Sequence, residues 1–158
     1  MKRHWFHSSI GLFMLSLPAY SGQAGSVPTP LTLDICLLAH TPQKYAGQMV
    51  QVRGSILTGY QAPGKPIKAF VLTEPFSSIS CAGTHILAVL PATIKPKPNF
   101  DLEVDESFKA FEKALHERTA IEGTFQGRLE YKKGKSATRL IIQKISDLKI
   151  EHTSRIDR

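Results

Sequence analysis

The chain is poor in the residues that announce chemistry. It holds two cysteines and one tryptophan in 158 residues, and Cys36 and Cys81 lack the CxxC spacing of a redox pair. There is no Gly-x-Ser-x-Gly elbow, no His-Glu-x-x-His helix and no glycine-rich phosphate loop, so no catalytic residue is assigned and the chain is not expected to be an enzyme. His40, His85, His116 and His152 stand far apart, without the short spacing of zinc ligands, and neither metal nor cofactor is expected. Asp101, Glu103, Asp105 and Glu106 are crowded, but at a helix start they complement the helix dipole. No apolar run reaches the roughly 20 residues needed to cross a bilayer, and no internal repeat is visible.

What is present begins with the first two dozen residues. Met1-Lys2-Arg3 leads into the apolar run Ile10 to Leu17, which Pro18 interrupts, and small residues follow around Ala19 to Ala24. A basic start, a short apolar core and a small-residue exit describe a secretory signal peptide. Residues 1–24 are therefore expected to be a leader, cut after Ser21 or Ala24, and the mature chain to be exported, periplasmic or secreted. No cysteine directly follows the apolar core, so a lipid anchor is not expected. Without Lys2 and Arg3, 18 basic residues face 13 acidic ones, a formal charge of +5. Such a chain can meet nucleic acid, anionic lipid or polysaccharide, so its charge narrows partners weakly. In an oxidising compartment an even cysteine count favours a Cys36–Cys81 disulfide, with two buried or free thiols as the alternative. Closing the 44 intervening residues would stabilise the fold by roughly 4 kcal/mol on the chain-entropy account.

Residues 25–30 read as a linker, 31–151 as a single domain, and 152–158 as a polar tail. Leu31 to Ala39 has the spacing of a short helix, with Thr29 or Thr32 as cap. Pro42 to Gly47 adds a turn that Gly47 ends. Met49 to Leu57 alternates as a half-buried strand, and Gly54 at its middle marks a bulge or bend. Ile67 to Thr73 and His85 to Leu90 are the next two strands. Asn99 to Arg118 turns to a helical period, with Val104, Phe108, Phe111 and Leu115 on one stripe and Asp101 or Asp105 as cap. Thr119 to Tyr131 alternates again. Thr138 to Ile150 changes parity between Ile142 and Ile145, which predicts a bulge.

Three strands, a helix and two strands is the layout of a five-stranded Greek-key barrel of the OB-fold type. The expected fold is thus mainly β, with a helix between barrel strands three and four and a short N-terminal helix; an SH3-like or other small barrel is the alternative. Val50-Gln51-Val52-Arg53-Gly54-Ser55-Ile56 resembles the first OB-fold strand, and Ile121 to Phe125 with Leu140 to Leu148 resembles the closing hairpin. Over residues 48–150 the resemblance is one of pattern. The series Cys36, Leu37-Leu38, Tyr45-Ala46-Gly47 and Val50-Gln51-Val52-Arg53-Gly54 is also similar to the opening of an uncharacterised family of exported bacterial OB-fold-like domains. That resemblance implies a fold and a compartment and transfers no catalytic residue.

OB-folds bind ligands on the face of strands two and three, flanked by the loops joining strands one to two and four to five. Here those loops carry Tyr60 and Lys65, and Tyr131, Lys132, Lys133 and Lys135, with Lys68 at the head of strand two. Together they are the candidate ligand-binding residues, the tyrosines offering stacking surfaces. The bland reading is that such lysines make soluble hairpin tips and discourage edge pairing. The expected function is an exported binding module for a protein or an anionic ligand. A structural or assembly protein of the envelope is the alternative, and nucleic acid is the less favoured partner.

Overall fold

A computed structural model describes residues 29–57, 67–76, 81, 83–117, 119–133 and 138–152. The expected leader, most of the linker and the tail beyond residue 152 lie outside the described residues, as do Tyr60, Lys65 and Lys135.

The elements are β1 (Leu31–Leu33), α1 (Ile35–His40), α2 (Pro42–Tyr45), β2 (Met49–Leu57), β3 (Ala69–Thr73), β4 (His85–Val89), a 3-10 turn (Pro91–Thr93), α3 (Glu106–Leu115), β5 (Thr119–Glu130) and β6 (Arg139–His152). Five strands close in the order β2-β3-β4-β6-β5 and back to β2, with β4 and β6 parallel and the other barrel pairs antiparallel. That is the OB-fold-like barrel expected from the sequence, with α3 between the third and fourth barrel strands.

Alternation explains the barrel wall. β5 buries Ile121, Phe125 and Leu129 and turns Glu122, Thr124, Gln126, Arg128 and Glu130 outward, half-exposed. It pairs with β2 along that strand's whole length, from Met49 opposite Arg128 to Leu57 opposite Ala120. Gly127 is required there, because a Cβ would collide with the Ile141 carbonyl on β6. The ladder between β5 and β6 slips twice, leaving Gln143 as an extra residue between Ile142 and Lys144 and placing Asp147 at φ 52°. The first slip is the bulge expected from the change of parity.

Inside, Phe111 of α3 reaches Phe70 of β3 at 5.0 Å and Phe125 of β5 at 6.0 Å between ring centroids. The helix thus plugs one end of the barrel with an aromatic cluster, at spacings where tilted rings attract.

Two local expectations are corrected. The N-terminal segment is not one helix from Leu31. Leu31–Leu33 is a strand parallel to Val50–Val52, and α1 starts only after Asp34. The reason is the cap: Asp34 Oδ1 accepts the Cys36 N–H at 2.6 Å, which fixes the first turn there and leaves Thr29 and Thr32 without a capping role. The long helix α3 likewise starts late. Asp105 Oδ1 accepts the Phe108 N–H at 2.9 Å, so α3 begins at Glu106, and Val104 leaves the apolar stripe to stand 63% exposed.

A disulfide joins Cys36 of α1 to Cys81, four residues ahead of β4, with Cα atoms 5.8 Å apart, a normal span for such a link. No helix among the described residues is long and apolar enough to cross a membrane.

Candidate ligand-binding face

The ladders bring four residues into one row across the outer face of the barrel. Val71 on β3 lies opposite Leu87 on β4, Leu87 opposite Arg139 on β6, and Arg139 opposite Glu130 on β5. Val71 and Leu87 are 45% and 36% exposed, although a strand side chain on a wet face is usually polar. Beside them Arg139 donates to Glu130 at 2.7 Å, and Arg128 approaches the same carboxylate at 3.9 Å. Two guanidiniums share one acid, so that flank of the apolar pair is positive on balance. The row is apolar at its β3–β4 end and cationic beside it.

The expected lysines flank this pair from opposite ends and do not converge on one point. Lys68 precedes β3 at the end where its carbonyl accepts the Leu90 N–H. Lys132 and Lys133 follow β5 beyond Glu130, toward the end where Thr73 faces His85. All three are exposed, Tyr131 is half-buried, and none of the three lysines makes an ion pair with another described residue.

At the Lys68 end lies a cavity of about 610 Å³, lined by Ile67, Leu90, Pro91, Leu102 and Val104, with Lys68, Thr93 and Asp101 as its polar groups. Asp101 is engaged by Lys97 at 2.6 Å, and the Lys68 ammonium at the rim pairs with no acid among the described residues. The far wall is held by the bulge on β6. The Glu103 N–H donates to the Gln143 carbonyl at 2.7 Å, and Glu103 pairs with Lys144 at 2.7 Å. The hydrogen bond and charge of Glu103 hold the Lys144 ammonium above the ordinary lysine range. Bulges re-aim side chains and backbone beside binding sites, and this one anchors the segment that lines the cavity.

Sequence reasoning located the lysines of this face and missed its apolar centre. Val71 sits inside Phe70-Val71-Leu72 and Leu87 inside Ile86-Leu87-Ala88, where three apolar residues in a row interrupt the alternation of a half-buried strand. Those interruptions were the available signal. No protein-family model matches the chain, and no curated protein matches it.

Proposed function

We propose that the protein is a non-enzymatic, exported OB-fold module that docks an acidic segment of a protein partner across the outer face of β3 and β4. The carrying observation is the exposed Val71–Leu87 pair between cations that form no ion pair with another described residue, Lys68 at one end and Lys132 and Lys133 at the other. An apolar centre with a charged rim is the anatomy of a protein interface, and the cavity beside Lys68 would hold one apolar anchor of the segment. Export rests on the leader-like start of the chain and agrees with the Cys36–Cys81 disulfide.

A synthetic peptide of alternating glutamate and leucine is the direct probe. It should bind more weakly as salt rises, because the rim charges are exposed and screened. Lys68→Glu and the pair Lys132→Glu with Lys133→Glu should each weaken it several-fold, and Leu87→Asp by about tenfold. Equal binding across that series, or equal binding of a lysine-for-glutamate peptide, would reject the proposal.

The assembly reading draws on a different observation. β1 is the end strand of the sheet and pairs with β2 alone among the described strands. It predicts partner capture through that edge, which proline at Thr32 would abolish while charge reversal at Lys68 would not.

A further inference from the structure

The disulfide has a histidine against it. Cys36 and His40 are one turn apart on α1, so both face the same way. His40 Nε2 lies 3.8 Å from the Sγ of Cys81. The two sulfurs and an imidazole nitrogen all fall within 4.8 Å of one another. Glu74 stands beside them, accepting the Cys81 N–H at 2.9 Å, and one of its oxygens lies within 4.8 Å of the Cys36 sulfur. The cysteines are half-buried and His40 is exposed, which leaves an entry path from solvent.

We propose that the reduced form of this cluster is a zinc site, with Cys36, Cys81 and His40 as ligands and Glu74 or a water in the fourth position. Two thiolates, an imidazole and an oxygen in tetrahedral array suit Zn²⁺. Zinc bonds of about 2.0–2.3 Å place neighbouring ligand atoms roughly 3.5–3.8 Å apart, so the sulfurs must separate while the imidazole moves little. The ligand backbones are held without the disulfide. Asp34 caps the turn that carries Cys36, the Thr41 N–H closes α1 on the Leu37 carbonyl, and Cys81 is fixed by Glu74 and by the Thr84 N–H on its carbonyl. The site is independent of the β3–β4 face and stands whether or not that face binds a partner.

Opening the disulfide takes a dithiol reductant. Its thiolate attacks the Cys36 sulfur, the sulfur–sulfur bond breaks, and Cys81 leaves as a thiolate beside the His40 ring. The second thiol of the reductant then displaces Cys36 and departs as a cyclic disulfide. Two electrons and two protons pass to the protein, and zinc binding releases the thiol protons.

The test is zinc titration of the full chain, oxidised and after reduction by a phosphine that is then removed, with Co²⁺ as a spectroscopic stand-in. The reduced chain should take up one zinc per molecule and show sulfur-to-cobalt charge transfer, and the oxidised chain should do neither. His40→Gln leaves the disulfide able to form, so it folds oxidised, and after reduction it should bind zinc more than about tenfold more weakly. Should the reduced chain lose structure, zinc must restore its circular dichroism. Equal uptake by the oxidised chain, no uptake by the reduced one, no effect of His40→Gln, or failure of zinc to restore a lost fold would each overturn the proposal.

Discussion

The barrel has two unlike sides. Along β2, β5 and β6 the backbone ladders are long: β5 runs between the other two and pairs over nearly all its length. On the opposite side β2 and β3 meet in register only at Ser55 and Thr73. There the wall is completed by other means. β1 takes up the free edge of β2 at Val50–Val52, the Ser55 hydroxyl accepts the Phe76 N–H at 3.1 Å, and the disulfide ties α1 to the approach to β4. One side is thus closed by repetitive hydrogen bonding and the other by particular side chains and a covalent link. The exposed apolar pair lies on β3 and β4, which pair over their full length beside this seam, and the histidine-flanked disulfide is one of the links that complete it.

The largest expected effect is on the stapled side. Replacing Cys36 and Cys81 together by serine should cost up to about 4 kcal/mol in urea denaturation, the entropy of a closed loop this long. Amide exchange should then rise first in β1, α1 and β4, and last in β5. Next comes a contrast between two glycines. Gly127→Ala should cost about 3 kcal/mol, because its new Cβ meets the Ile141 carbonyl within the continuous ladder. Gly54→Ala, on the open side, should cost less: of the two atoms nearest its Cβ, Ile35 Cδ1 at 2.7 Å can rotate away, and only the Thr73 carbonyl at 2.9 Å is backbone. Equal costs for the two would erase the distinction between the walls.

Smaller still is the effect of polar substitution on the outer face. Val71→Ser and Leu87→Asp should each change stability by no more than about 1 kcal/mol, since both side chains are already half in water. A marked loss of stability would mean that the pair is structural and not a contact surface. The smallest effect concerns Lys144. Its folded-state affinity for a proton is raised by Glu103, so its contribution is fully present below the unfolded lysine value and is lost as pH rises through the higher folded one. Glu103→Gln should therefore lower stability slightly across the neutral region and flatten the strongly alkaline limb, so that the two profiles converge at high pH.

Much of the barrel could be read directly from alternation. The long strands, the bulge near Gln143 and the plugging helix each carry several residues of pattern, and periodicity accumulates over such lengths. Leu31–Leu33 is too short to have a period, so its pairing with β2 was not legible. Val104 fell on the helical stripe by spacing, but the Asp105 cap outranks one apolar contact. At the face, the lysines were visible because loops expose them, whereas Val71 and Leu87 lay hidden within apolar runs. His40 was missed because its partner Cys81 is 41 residues distant. The only local trace was Cys36-x-x-x-His40, a spacing that gains meaning only when a helix and a remote cysteine coincide.

The proposed binding face is the outer surface of β3 and β4, beside the short β2–β3 seam. Methyl-labelled NMR of the full chain, titrated with the acidic leucine–glutamate peptide at low salt, tests it most directly. Shifts are expected at the Val71 and Leu87 methyls and at the Ile67 and Leu90 methyls of the cavity, all abolished by Lys68→Glu with Leu87→Asp. Shifts confined to the outer residues of β5 and β6, or no shifts at all, would contradict it.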